Sequence, residues 1–121
     1  DVTDQAPILD DQVLDDLRAS VEGDDAFVAE LAATYVSEGA GHISEIEAAA
    51  GAADLDAIVR PAHSLKSSSA SLGATRLAQI SREIEVAGRE GRAGPIGGLV
   101  ESARAAWDET VLELRARKLA P

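Results

Sequence analysis

Apolar residues along this chain recur at spacings of three and four, which is the period of an amphipathic α-helix. Five segments carry the pattern, one short and four long, and connections containing Gly or Asp separate them. No alternation of strands and helices competes with it. Short connections place successive helices side by side and antiparallel. The pattern therefore predicts an all-α fold, an antiparallel up-down-up-down four-helix bundle with a short additional N-terminal helix.

Capping residues mark where these helices begin and end. An Asp before an apolar stripe accepts hydrogen bonds from the first free backbone N–H groups, and Gly permits the left-handed turn that ends a helix. The predicted N-caps are Asp10 or Asp11, Asp24 and Asp54, and the predicted stops are Gly23, Gly51 and Gly73. Residues 1–7 end in proline and show no periodicity, so we interpret them as a tail or linker before a domain at 8–121.

The second helix is expected to bury one continuous stripe. That stripe consists of Phe27, Leu31, Tyr35, His42, Ile46 and Ala49. His42 is therefore interpreted as a histidine of the core or of its edge rather than as a reactive group. Gly39 and Gly41 are expected to bend or break this helix midway, because glycine is a poor helix former.

The third helix contains the residues of greatest chemical interest. Pro61 lies inside its pattern and is expected to kink it, but burial on both sides of the proline favours a helix that continues. His63 follows the buried position Ala62 and is therefore expected at the edge of the apolar face or outside it. That face comprises Leu55, Ile58, Ala62, Leu65 and Leu72, with small Ser69 completing the stripe.

A possible reactive group lies on the same helix. His63, Lys66 and Ser67 stand at i, i+3 and i+4, so a helix presents all three on one face. An accessible imidazole is a nucleophile, and a lysine one turn away supplies positive charge for an incoming phosphoryl group. Small serines beside them leave room for a partner. On these residues alone, His63 is either an ordinary histidine of the surface or core edge, or a nucleophile that water and another protein can reach.

Composition excludes several other functions. The chain has 121 residues, enough for one domain, and its 22 acidic and 11 basic residues give a net charge of −11. Such a charge repels nucleic acids and anionic membranes, so neither is expected as a partner. Cysteine is absent, which excludes disulfides and thiolate catalysis. No apolar run approaches the length of a membrane span and no signal peptide opens the chain, so a cytoplasmic location is expected.

The motifs of this chain resemble those of the histidine-containing phosphotransfer domain, the family that relays phosphoryl groups between aspartates in multistep two-component signalling. The resemblance runs from Ile8 to about Leu114. The family fold is a four-helix bundle with a leading helix across one end, which agrees with the periodicity. The matching motifs are Ile8-Leu9-Asp10, Gly23-Asp24-Asp25-Ala26-Phe27, Ala62-His63-Ser64-Leu65-Lys66 and Leu72-Gly73-Ala74.

The resemblance assigns roles to the residues near the histidine. It implies phosphorylation of His63 at Nε2, with Lys66 neutralising the phosphoryl oxygens. Ser67 replaces the glycine that is common in the family. It is expected either to restrict the approach of a partner or to donate a hydrogen bond to the phosphoryl group. Ser68 is expected to pack within its own helix or to assist.

Two residues of the following helix match family positions beside the histidine. Glu85 and Arg89 either form an ordinary i,i+4 surface ion pair, or Glu85 orients the imidazole while Arg89 adds positive charge for the phosphoryl group. The resemblance also places Leu17 and Phe27 on the surface that docks a partner, although both have an ordinary core interpretation.

The expected partners are response regulator receiver domains and a hybrid histidine kinase, and the domain is expected to be a monomer. It is not expected to be an enzyme, because the sequence has no ATP-binding or autokinase motif. No cofactor is expected in this chain. Mg²⁺ is expected in the acidic pocket of the partner receiver domain.

Other classes of function remain as alternatives. An acidic helical docking or scaffold bundle without phosphotransfer would bind its partner regardless of a His63→Gln substitution. A histidine-dependent hydrolase lacks a supporting arrangement of serine, histidine and acid. A metal site made of His42, His63 and carboxylates lacks HExxH or any comparable ligand spacing.

Overall fold

The structure is a computed structural model that describes residues 6–120 of the chain. Those residues form helices and connections without a strand, so the all-α prediction is confirmed. The helices are α1 (Asp11–Ser20), α2 (Asp25–Gly51), α3 (Leu55–Leu72), α4 (Thr75–Arg89) and α5 (Ile96–Ala116).

The four long helices form a ring in which each contacts its two neighbours. Helix α2 packs against α3, α3 against α4, α4 against α5, and α5 returns to α2. The short connections make consecutive helices antiparallel, and α1 packs on α2 and α3. The predicted four-helix bundle with a short leading helix is confirmed.

The interior of the bundle is filled by branched aliphatic side chains. Each one that is fully buried contributes about 1.5–3 kcal/mol relative to exposure. The largest of these are Leu14, Ile43, Ile46, Ile58, Leu65, Leu77, Ile80, Ile84 and Leu114.

The predicted caps are confirmed at three helix starts. Asp10 accepts a hydrogen bond from the backbone of Gln12, and Asp24 and Asp54 cap α2 and α3 in the same way, each at 3.0 Å. Gly73 ends α3 with a φ of +88°, as predicted. A Cβ at Gly73 would also lie 2.9 Å from the carbonyl oxygen of Asp10, so this glycine lets the segment before α1 cross the end of α3.

The predicted buried stripe of α2 is wrong in its first two turns. Phe27 is 42% exposed and Leu31 is 37% exposed. The stripe begins one residue later, and its small members fit a helix that contacts α3 and α5 closely. Ala32 and Gly39 are small and contribute little to a hydrophobic pattern. The prediction therefore followed the larger side chains of Phe27 and Leu31, which are exposed. The buried residues are Val28, Ala32, Tyr35, Gly39, Ile43, Ile46 and Ala49.

The predicted interruption of α2 at its glycines is also wrong. The helix runs without a break from Asp25 to Gly51. Gly39 is needed for packing, because a Cβ there would lie 2.5 Å from two ring atoms of Trp107 on α5. Trp107 also packs against Tyr35, with ring centroids 5.5 Å apart. Gly41 faces open space and has no such role.

Helix α3 continues through Pro61, as predicted from burial on both sides of it. Pro61 itself is buried, together with Ala62 and Leu65. Leu55, predicted to be part of the apolar face, is only half-buried at the first position of the helix.

The segment before α1 contacts α4. The carbonyl oxygens of Ala6 and Pro7 accept hydrogen bonds from the Arg76 side chain and backbone, at 2.8 and 3.0 Å. Both residues belong to the stretch 1–7 predicted to be a tail, whose residues 1–5 lie outside the described part of the chain. Within residues 6–120, no helix combines the length and apolarity needed to cross a bilayer.

Alanine substitutions at the two central glycines of α2 should change the free energy of unfolding in opposite directions. We expect Gly39→Ala to lower the free energy of unfolding by about 1–3 kcal/mol, because the added methyl displaces the Trp107 ring. Gly41→Ala, the matched control in open space, should raise it by up to about 1 kcal/mol through helix propensity. Urea denaturation followed by circular dichroism measures both. A stable Gly39→Ala variant would contradict the packing role.

Candidate functional site

A buried carboxylate on α4 is the centre of the candidate site. The Glu85 side chain is only 7% exposed. Its Oε2 accepts hydrogen bonds from Nδ1 of His63 at 2.9 Å and from Nη2 and Nε of Arg89 at 2.8 and 3.1 Å. Its Oε1 lies 2.8 Å from Nζ of Lys66. One carboxylate therefore joins a histidine and a lysine of α3 to an arginine of α4.

The close approach of α3 and α4 makes these contacts possible. On α4, Ser81 and Gly88 are buried one turn before and one turn after the centre of the cluster. A Cβ at Gly88 would lie 2.8 Å from Cγ2 of Ile58 and 3.1 Å from the carbonyl oxygen of Leu55. Small residues on both sides of Glu85 thus let its carboxylate reach the polar edge of α3.

Three donors keep the Glu85 carboxylate ionised. Burial alone would raise its pKa, but the hydrogen bonds from Lys66, Arg89 and His63, with the positive charge of Lys66, outweigh burial and lower the pKa to about 2. An ionised carboxylate can only accept hydrogen bonds. Glu85 is therefore a fixed negative charge at neutral pH.

The ionised carboxylate also determines the tautomer of His63. Because Glu85 cannot donate, the proton of the neutral imidazole must lie on Nδ1, which leaves a lone pair on Nε2. No residue within 6–120 is hydrogen bonded to Nε2, and the side chain is 54% exposed. The structure thus presents an oriented imidazole whose unprotonated nitrogen is available to solvent or a partner.

The charges around His63 sum to a positive value in a strongly acidic chain. Lys66 and Arg89 carry two positive charges against the one negative charge of Glu85, with the imidazole counted as neutral. The whole chain has a net charge of −11. The site is therefore a local positive patch that favours a dianionic group, and Arg89 is exposed enough to reach one.

The serines predicted beside the histidine do not join the cluster around Glu85. Ser68 donates to the carbonyl oxygen of Leu65 at 3.3 Å, as expected for a residue that packs within its own helix. Ser67 is exposed on the face of His63, one turn towards the C-terminus of α3.

An apolar groove adjoins this part of α3. Leu31 and Tyr35 of α2, Leu17 of α1 and Leu72 of α3 line it, together with the polar residues Thr34, Glu38, Ser68 and Ser71. Phe27 lies one helical turn before Leu31, so the two exposed apolar residues share a face of α2. The core interpretation of Phe27 is wrong, whereas Leu17 is half-buried against the core.

The second histidine occupies a different environment. His42 is half-buried on α2, and its Nδ1 lies 3.7 Å from Oε1 of Glu45, too far for a hydrogen bond. This agrees with a histidine at the edge of the core. Among residues 6–120, no group of three or more His, Cys, Asp or Glu side chains has the geometry of a metal site.

Glu85 and Arg89 form the predicted i,i+4 ion pair. It is not an ordinary surface pair, because Glu85 is buried and bridges two helices. Sequence reasoning also missed the ion pair between Glu85 and Lys66. Its signal was present in the sequence: Glu85 lies four residues after Ser81 and three before Gly88, on a face of α4 that is otherwise apolar or small.

Comparisons with known proteins identify the class of this fold and site. The Hpt domain family matches residues 30–117, so the chain belongs to that family. It is also similar to a solved structure, histidine-containing phosphotransfer protein B (HptB) from Pseudomonas aeruginosa PAO1. The TM-score is 0.81 and the identity 27%, over 93% of this chain and 96% of that one. No curated protein matches the chain.

Membership of this family gives the chain a histidine phosphotransfer role in phosphorelays. Hpt proteins are relay intermediates that interact with receiver domains and kinases. The predicted family, bundle and general function are therefore confirmed.

The depressed pKa of Glu85 predicts a specific pH dependence of stability. The carboxyl has an ordinary pKa of 4.5 when unfolded and about 2 when folded. Its contribution to stability is therefore complete above pH 4.5 and is lost as the pH falls towards 2. We expect the difference in free energy of unfolding between wild type and Glu85→Gln to shrink across this window.

The measurement is urea denaturation at successive pH values from 7 to 2. Glu101→Gln, which removes an exposed carboxylate of α5, is the matched control. A wild-type advantage over Glu85→Gln that persists undiminished at pH 2 would contradict an ionised Glu85.

Proposed function

We propose that His63 is the phosphoacceptor, and that its Nε2 receives a phosphoryl group from the aspartate of one receiver domain and passes it to the aspartate of another. The observation that supports this most directly is the hydrogen bond from Nδ1 to buried Glu85, which leaves the Nε2 lone pair free on an exposed ring. The phosphoryl group comes from a receiver domain, since we expect no autophosphorylation.

The transfer step requires no proton movement on His63. The Nε2 lone pair attacks phosphorus of the aspartyl phosphate, a P–N bond forms, and the P–O bond to the aspartate breaks. The aspartate carboxylate leaves with the electron pair of that bond. The ring becomes positively charged with its proton still on Nδ1, and Glu85 stabilises that charge through the existing hydrogen bond. The reverse sequence returns the phosphoryl group to an aspartate.

Lys66 and Arg89 are proposed to neutralise the phosphoryl oxygens. Both cations contact Glu85 in the unphosphorylated chain, and both lie on flexible side chains that are at least partly exposed. Either can move from the carboxylate to the incoming group. A mobile ammonium suits this exchange, and a guanidinium can bind two oxygens at once. Most of the remaining transition-state stabilisation belongs to the receiver, where Mg²⁺ would neutralise the phosphoryl charge.

The apolar groove beside α3 is proposed as the docking surface for the receiver domain. Leu17 and Leu31 line it, and Phe27 extends it along the exposed face of α2. Ser71 lines the groove as well, one helical turn after Ser67, which shares the face of His63. A receiver seated here would bring its aspartate to the positive patch around His63. A small apolar contact of this kind suits a transient complex.

Substitution of the two histidines tests the assignment of the phosphoacceptor. Incubation with a phosphorylated receiver domain and Mg²⁺ should label wild type with acid-labile, base-stable phosphate. We expect His63→Gln to abolish the label, because glutamine lacks a nucleophilic nitrogen. His42→Gln should leave it unchanged. Label retained on folded His63→Gln, or absent from wild type with a broad panel of receivers, would contradict the proposal.

The docking surface predicts a second difference between matched variants. Leu31→Ala should lower kcat/KM for transfer from a receiver by about tenfold, since it removes a contact worth roughly 1.4 kcal/mol. Leu112→Ala on α5 removes a leucine that is also exposed but lies outside the groove, and should have no effect. Stopped-flow or rapid-quench assays measure both. Equal rates for the two variants would place the docking surface elsewhere.

A further inference from the structure

The serines after the histidine differ in how their hydroxyl groups are used. Ser68 donates to Leu65, and Ser71 donates to the carbonyl oxygen of Ser67 at 3.0 Å. Ser69 is buried and bonded to the Tyr35 hydroxyl at 2.8 Å. Within residues 6–120, the Ser67 hydroxyl has no hydrogen-bond partner, and its side chain is exposed. Among the four serines at 67, 68, 69 and 71, Ser67 alone has a hydroxyl that is free for a ligand.

Helix geometry places that free hydroxyl on the same face of α3 as the imidazole. Ser67 follows His63 by four residues, which places their Cβ atoms about 6 Å apart on one face. Side chains of an α-helix lean towards its N-terminus, so the Ser67 side chain leans towards His63. Lys66 is adjacent and approaches the same space. A phosphoryl group on Nε2 that lies over this face would have Lys66 and Ser67 as its neighbours on α3.

A phosphoryl group in this space needs donors that the cluster does not fully provide. It has three acceptor oxygens and a charge close to −2. Lys66 is shared with Glu85, so part of its donor capacity is already used. The Ser67 hydroxyl, unlike the Lys66 ammonium, does not have to leave another partner before it can donate to the phosphoryl group. Hydrogen bonds to charged oxygens are also stronger than those between neutral groups.

We propose that the Ser67 hydroxyl donates a hydrogen bond to a phosphoryl oxygen of phosphorylated His63, and thereby shifts the phosphotransfer equilibrium towards the phosphorylated domain. This inference rests on the proposed function of His63. A glycine at the same position would lack the bond. Ser67 is then a phosphoryl-binding residue that adjusts how readily the domain retains its phosphoryl group, separately from the nucleophile and the cations.

Phosphoramidate offers a test that does not depend on a receiver partner. This small molecule transfers its phosphoryl group to a histidine nitrogen and releases ammonia, so exchange with added ammonia yields an equilibrium constant. We expect Ser67→Ala and Ser67→Gly each to lower that constant about fivefold, the loss of one hydrogen bond to a charged group at an exposed site. ³¹P NMR quantifies phosphohistidine and should also show a changed chemical shift.

Two further variants separate the hydroxyl from other effects. Ser67→Thr keeps the hydroxyl and should retain nearly the wild-type constant. Ser64→Ala removes a hydroxyl next to His63 but about 100° around the helix, and should leave the constant unchanged. Circular dichroism and thermal unfolding establish that each variant is folded.

Each result bears on the inference. Equal constants for wild type and Ser67→Ala would overturn it, and so would a higher constant for Ser67→Gly, which would show that size matters rather than hydrogen bonding. Wild type without phosphate on His63 would overturn the proposed function as well. Phosphorylated His63 with no effect at Ser67 would leave the proposed function standing.

Discussion

The carboxylate of Glu85 at the contact between α3 and α4 is the interaction on which this site depends. A buried charge is unfavourable unless several donors surround it, and His63, Lys66 and Arg89 provide them. The same bonds orient the imidazole, select its tautomer and hold two cations beside it. Removing this carboxylate would therefore change the orientation of the imidazole and its electrostatic surroundings together.

The site in turn requires a close approach of α3 and α4, and a second glycine permits close packing elsewhere in the bundle. Gly88 brings the backbones of α3 and α4 together near Glu85, and Gly39 admits the Trp107 ring between α2 and α5. Glycine is a poor helix former, yet α2 and α4 remain continuous through these positions. The gain from close packing thus outweighs the lower helix propensity of glycine, which is at most about 1 kcal/mol per residue.

In the proposed function, charge and shape contribute separately to recognition of the partner domain. The chain is acidic as a whole, whereas the surroundings of His63 are locally positive. In that function, the positive patch attracts a phosphoryl group, and the neighbouring apolar groove provides contact area that does not depend on charge. A relay intermediate has to release each partner after transfer, and a small apolar surface beside a positive site is consistent with a short-lived complex.

Local sequence determined the helices, their caps and the shared face of His63, Lys66 and Ser67, because these follow from the 3.6-residue period and from hydrogen bonds within a few residues. The exposed face of Phe27 and Leu31, the continuity of α2 at Gly39, and the burial of Glu85 were decided only by the tertiary structure. Each depends on which helix lies opposite and how closely it approaches. A carboxylate becomes the centre of a site only when a neighbouring helix brings donors to it, and that distance is not a property of either helix alone.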